Sequence, residues 1–101
     1  MSEQHTFDEL VSNYFEKLEL YTDAITRVHG KNHPEAFEVR EWFETIRGKV
    51  KEAGEEKPDL DAEFARLRDI TDNYTIPGDV CDTYAETYKM LAEVDQAYQA
   101  S

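Results

Sequence analysis

Two of the three histidines in this 101-residue chain lie four residues apart, in the stretch VHGKNHPE that covers residues 28–35. On one face of a continuous helix, two imidazoles at that spacing can share a metal ion. Here Gly30 and Pro34 are typical of a helix end and a helix start, so the helix is interrupted between the two rings. We therefore predict that His29 ends one helix and that His33 lies at the start of the next. The stretch is then a corner and binds no metal.

The other side chains that could do chemistry are one cysteine and a pair of tyrosines. Cys81 is the only cysteine, which excludes a disulfide within the chain and a cysteine cluster for zinc or an iron–sulfur centre. We predict that it is a small buried residue on a helix. Tyr84 and Tyr88 could bind iron or relay protons, but rings in the core with hydroxyls at its boundary are commoner. We give His5 no role, and we assign no catalytic, cofactor-binding or metal-ligating residue.

The strongest periodic pattern in the chain is an apolar stripe in its first third. The members alternate at spacings of four and three residues, which is typical of an amphipathic helix: Phe7, Val11, Tyr14, Leu18, Tyr21, Ile25 and Val28. Thr6, with Glu9 three residues later, matches a capping box, and Gly30 is a natural stop. The pattern predicts a first helix from Thr6 to His29.

Three further stripes predict three more helices. They are Ala36, Val39, Phe43, Ile46, Val50 and Ala53; then Leu60, Phe64, Leu67 and Ile70; and last Val80, Tyr84, Thr87 or Tyr88, Leu91, Val94 and Tyr98. We expect Asn32 or His33 to cap the second helix, Asp59 or Asp61 to lie near the cap of the third, and Asp79 to cap the fourth.

No segment shows the two-residue alternation of a half-buried strand, so we predict an all-α fold. Four helices with short connections favour an up-down-up-down four-helix bundle in a single domain, residues 1–101, with the third helix the shortest. Phe15, Phe37 and Trp42 flank the stripes and form our candidate interaction surface.

The charge of the chain limits its partners. With 23 acidic and 11 basic residues, the formal net charge is -12, which disfavours nucleic acid and anionic membrane surfaces. No apolar run approaches the roughly 20 residues of a spanning helix, and the N-terminal sequence lacks the features of a signal peptide. We expect an acidic cytoplasmic protein whose partner is another protein or a second copy of itself.

Two stretches, VHGKNHP at residues 28–34 and LRDITDNYTIPGDVCDTY at residues 67–84, resemble the hemerythrin-like domain of the iron–sulfur cluster repair proteins of the RIC or ScdA type. In that family a VHG-HP motif joins the first two bundle helices, and a run like the second stretch leads into the last helix. The resemblance covers most of the chain. It implies a hemerythrin-like bundle and a link to restoring iron–sulfur clusters after nitrosative or oxidative damage.

The family's bundle holds two irons through histidine and glutamate, and the resemblance does not extend to these ligands. Where the family's first helix bears a histidine, this chain reads VSNYFEKLELY; its second helix continues as KVKEAGEEKPD, and its third reads DLDAEFARLR without histidine. The family's last ligands fall beyond Ser101. The resemblance therefore implies the family's scaffold without its iron site.

The leading functional hypothesis is a non-catalytic, partner-binding or accessory role in iron–sulfur or nitrosative-stress handling, with no cofactor. One alternative is an iron-binding repair protein that uses carboxylate and tyrosine ligands or a dimer interface. A second alternative is a general protein-interaction module that binds through Phe15, Phe37 and Trp42.

Overall fold

The computed structural model describes residues 6–101, so His5 lies outside the described residues. It contains four α-helices: α1 (Phe7–His29), α2 (Glu35–Ala53), α3 (Asp61–Ile70) and α4 (Asp82–Ala100). Helix α1 packs against both α2 and α4, and α2 packs against α3. Residues 6–101 contain no strand. The predicted all-α four-helix bundle, with its third helix the shortest, is confirmed. Within the same residues, none of the helices combines the length and the apolar composition needed to cross a bilayer.

The start of α1 follows the sequence prediction. The Thr6 hydroxyl accepts a hydrogen bond from the Glu9 backbone N–H at 3.2 Å, and the Glu9 carboxylate accepts one from the Thr6 backbone N–H at 2.8 Å. Both halves of the capping box are therefore present. They satisfy two of the N–H groups that a helix start leaves without an intrahelical acceptor.

The predicted caps of α2 and α4 are wrong. The N-cap of α2 is Pro34, with no side-chain hydrogen bond, in place of Asn32 or His33. The N-cap of α4 is Cys81 in place of Asp79. The physical reason is that the His33 ring and the Asp79 carboxylate bond to each other, at 3.0 Å, so neither side chain turns back to its own helix.

The core is wider on α1 than the predicted stripe. Val28 is 71% exposed, whereas Leu10, Phe15 and Thr22 are buried. A single stripe is too narrow because α1 packs between two helices, and Phe15 lies on the side that meets α2. Its ring packs edge-on against Phe43, with ring centroids 5.2 Å apart. Phe15 is 7% exposed, so its assignment to an interaction surface is corrected to the core.

Helix α3 joins α4 through polar side chains. One oxygen of the buried Asp95 accepts from Arg68 Nε at 2.9 Å and from the Tyr74 hydroxyl at 2.8 Å. Burial, and then the bond to Asp95, raise the pKa of the Tyr74 hydroxyl, which keeps it a donor. These three residues line a cleft of about 540 Å³.

A left-handed turn brings Tyr74 to this cleft. Asp72, Asn73 and Tyr74 have φ angles of 53°, 57° and 61°, a conformation that costs L-residues roughly 1–2 kcal/mol each. The Asn73 N–H donates to the Arg68 carbonyl at 2.8 Å, and the Tyr74 N–H donates to the Thr71 hydroxyl at 2.8 Å. These bonds and the Tyr74 contact with α4 hold the turn in place.

Candidate functional site at the helix corner

The candidate site lies where the end of α1, the start of α2 and the start of α4 meet. The turn between α1 and α2 is tight because its first residue is glycine. The Gly30 N–H donates to the Thr26 carbonyl at 3.0 Å. A Cβ at Gly30 would lie 2.4 Å from that carbonyl oxygen and 2.6 Å from the Phe37 ring. The φ of Gly30 is -57°, so lack of space, and not backbone conformation, requires glycine there.

His33 connects the start of α2 to the segment before α4. Its Nδ1 lies 3.1 Å from a Glu35 carboxylate oxygen, and its Nε2 lies 3.0 Å from an Asp79 carboxylate oxygen. Desolvation opposes the charge on the ring, but the hydrogen bonds to Glu35 and Asp79 outweigh it and raise the pKa of His33. When the ring is protonated, both nitrogens donate, and the cation is shared by two carboxylates.

His29 has a different partner. Its Nε2 lies 3.2 Å from Cys81 Sγ, and its ring packs edge-on against Tyr84 at a centroid distance of 5.3 Å. Cys81 is exposed, so the prediction of a buried residue on a helix is wrong. Cys81 is the N-cap of α4, whereas the buried residues of this helix begin at Tyr84. The Cys81 side chain therefore lies outside the part of α4 that packs into the core.

Tyr84 and Tyr88 form the inner wall of the corner. Both rings are buried, and their hydroxyl oxygens lie 3.1 Å apart. The Tyr84 hydroxyl also donates weakly to Glu35, at 3.4 Å. Burial raises the pKa of both tyrosines, so the two hydroxyls stay protonated. The predicted core rings are confirmed, but the Tyr84 and Tyr88 hydroxyls lie inside the fold and bond to each other.

The predicted corner is confirmed: α1 ends at His29 and α2 begins at Glu35. The centroids of the His29 and His33 rings are 6.3 Å apart. One ring faces a thiol and the other faces two carboxylates. Among residues 6–101, no three His, Cys, Asp or Glu side chains are grouped so that they could hold a metal ion. The arrangement offers proton exchange at His33 and an imidazole–thiol pair at His29.

The three residues of the predicted interaction surface lie in different environments. Phe37 is 56% exposed and lies over Gly30. Trp42 is half-buried against the core, with the Arg66 guanidinium 5.9 Å from its ring centre. Phe15 is in the core. Of the three, Phe37 is the one with a largely exposed ring. It shares the corner region with the exposed Val28.

Sequence reasoning missed the two pairs that form the site. His29 and Cys81 are 52 positions apart, and His33 and Asp79 are 46 positions apart. The available signal was that both motif stretches, residues 28–34 and 67–84, carry chemistry-bearing side chains next to a turn. The fold brings these stretches into contact.

No protein-family model matches this chain, and no solved structure matches it.

Proposed function

We propose that this chain is a non-catalytic accessory protein that binds a protein partner in iron–sulfur or nitrosative-stress handling. The pathway rests on the resemblance of residues 28–34 and 67–84 to the RIC and ScdA-type repair proteins. In support, these two stretches meet at the corner through the His29–Cys81 and His33–Asp79 pairs. The segments that carry the resemblance are therefore one structural unit.

The interior supports a scaffold role. The largest fully buried side chains, which come from all four helices and from the residue before α3, are hydrocarbons and aromatic rings: Tyr84, Tyr88, Phe43, Phe64, Leu18, Ile25, Ile46, Leu60, Leu67, Leu91, Val39 and Val94. Burying such groups stabilises the bundle directly. In this proposal the chain acts through its surface.

The observation that carries partner binding is the exposure of Val28 and Phe37 on either side of the corner, at 71% and 56%. They belong to the last turn of α1 and the first turn of α2. Large apolar side chains in such positions gain free energy when a partner covers them. The partner contact therefore includes the outer side of the corner.

The test is affinity purification of the tagged chain from cells that produce it, with and without nitric oxide. The comparison is with Val28→Ala/Phe37→Ala and with the control Leu20→Ala, which alters an exposed apolar residue of α1 eight positions before Val28. We expect iron–sulfur proteins or their repair enzymes to be captured by the wild type and the control, and lost with the double variant. Capture of the same proteins by all three would contradict the proposed surface. A set without iron–sulfur proteins would contradict the pathway.

A second candidate is iron binding by carboxylate and tyrosine ligands, for which the hydrogen-bonded Glu35, Tyr84 and Tyr88 are adjacent to one another. It requires that iron displace the protons which burial keeps on the two tyrosines. Elemental analysis after anaerobic purification separates the two candidates. The accessory role predicts well under one iron per chain. Stoichiometric iron that survives a chelator wash and is lost in Glu35→Gln would favour the second candidate.

A further inference from the structure

The corner contains a cysteine in an unusual environment. Free cysteine is among the most buried residue types in proteins, yet Cys81 is exposed and its Sγ lies 3.2 Å from His29 Nε2. We propose that Cys81 and His29 form a nucleophilic thiol site that undergoes exchange with small neutral or cationic disulfides. This inference goes beyond the proposed function and does not depend on it.

The geometry provides a nucleophile and a base from two helices. A thiol within hydrogen-bond reach of an imidazole, with the imidazole held by a third group, is the arrangement of activated cysteines. Here the Tyr84 ring holds His29 edge-on, at an interplanar angle of 89°. With its proton on Nδ1, the neutral His29 ring leaves Nε2 free to accept the thiol proton.

The helix start adds to this arrangement. Cys81 is the N-cap of α4, a helix of 19 residues, so a thiolate there lies at the positive end of the helix dipole. The histidine comes from the last turn of α1, which packs against α4. Unfolding the bundle would therefore separate the base from the thiol.

The charges around the thiol define the substrate class. Asp79 and Asp82 lie close to Cys81 in the sequence, and both are exposed. Asp79 is paired with His33, whereas no described side chain forms an ion pair with Asp82. The whole chain carries a net charge of -12. An anionic disulfide such as glutathione disulfide is repelled by this field, and a dicationic disulfide such as cystamine is attracted.

The exchange step is balanced without any further reagent. The Cys81 thiol gives its proton to His29 Nε2, and its sulfur attacks one sulfur of the disulfide RSSR. The Cys81–SR bond forms as the S–S bond of RSSR breaks. The departing RS⁻ takes the proton from His29 and leaves as RSH. Cys81 is oxidised and the departing sulfur is reduced. Since the chain has no second cysteine, the mixed disulfide stays until an external thiol attacks it.

The test measures the rate at which cystamine forms a mixed disulfide with the full chain near neutral pH, followed by intact mass after acid quenching. The variants are His29→Gln, which removes the base, and Asn32→Ala, the control, which changes an exposed side chain in the turn between α1 and α2. We expect His29→Gln to react at least roughly tenfold more slowly than the wild type, and Asn32→Ala to stay within about twofold of it. The wild-type advantage over His29→Gln should disappear near pH 10, where hydroxide alone deprotonates thiols.

Two further measurements keep the proposal open to refutation if His29→Gln does not fold. The wild type should react more slowly in urea than in its folded state, relative to a small thiol under the same conditions. The ratio of the cystamine rate to the glutathione disulfide rate should also be larger for Cys81 than for that small thiol. Equal rates for wild type and folded His29→Gln would overturn the proposal, as would a folded thiol no faster than the unfolded one. A rate ratio no larger than that of the small thiol would overturn the assigned substrate class.

Discussion

Protonation of His33 links the start of α2 to the segment before α4. Because the folded state raises the pKa of His33 through Glu35 and Asp79, the folded state binds the proton more tightly than the unfolded chain. This stabilisation is fully present below the ordinary histidine pKa of about 6.5, and it is lost as the pH rises through the folded pKa. The His29 and Tyr84 rings also lie against His33, with ring centroids 6.3 and 5.6 Å away.

The corresponding prediction compares urea unfolding of the wild type and His33→Gln at about pH 6 and about pH 8.5. The wild type should be more stable than the variant at the lower pH, and this advantage should shrink at the higher pH. Comparing two proteins cancels the titration of the carboxylates that they share. An advantage that is constant, or that grows with pH, would show that the proton on His33 does not stabilise the fold.

Two glycines give a matched test of the corner geometry. At Gly48, within α2, an added Cβ has open space, so Gly48→Ala should stabilise the protein by about 0.5–1 kcal/mol. At Gly30 the added Cβ meets the Thr26 carbonyl and the Phe37 ring, so Gly30→Ala should destabilise it by about 1–3 kcal/mol. Thermal or urea unfolding measures both changes. Stabilisation by both substitutions would mean that the turn accommodates a Cβ at position 30 without a clash.

The sequence predicts single residues well only where the cause is local. The capping box of Thr6 and Glu9 and the stop at Gly30 follow from neighbouring residues, and the structure contains both. The exposure of Cys81 and the partners of His29 and His33 depend on residues about fifty positions away. Helical periodicity contains no information about such pairs, so the site itself could not be predicted.

At the scale of the helices, Phe43 is the clearest test of the packing between α1 and α2. It is 0% exposed and contacts Phe15, so Phe43→Ala should lower the free energy of unfolding by about 3–5 kcal/mol, since transfer energy is lost and a cavity is left. Phe37→Ala, on the exposed side of the same helix, should cost less than about 1 kcal/mol. Equal losses from the two variants would be incompatible with this packing.

The left-handed turn after α3 gives a second test at this scale. Asp72→Gly removes a side chain from a residue with φ 53° and should stabilise the protein by up to about 1 kcal/mol. The control is Asp69→Gly, inside α3, which should destabilise it by about 0.5–1 kcal/mol. Urea unfolding of both variants distinguishes strain in the turn from a general effect of glycine. Destabilisation by Asp72→Gly would mean that the Asp72 side chain itself supports the turn.

Helix type and order could be predicted because four apolar stripes are separated by Gly, Pro and Asp. Which side of α1 is buried could be predicted only in part. Phe7, Leu18 and Ile25 are buried as expected, but the stripe does not reveal that α1 packs against two helices at once. That arrangement moved Phe15 into the core and left Val28 outside.

For the whole molecule, the position of α1 between α2 and α4 determines when the protein can fold during synthesis on the ribosome. The α1–α2 hairpin is complete once Ala53 has emerged, but the side of α1 that meets α4 stays uncovered until a helix ending at Ala100 follows it. A nascent chain of this kind exposes apolar surface until α4 has emerged, and such transiently exposed surface is prone to aggregation. Residues such as Leu18 and Ile25, wholly covered in the finished bundle, become protected only after α4 has emerged.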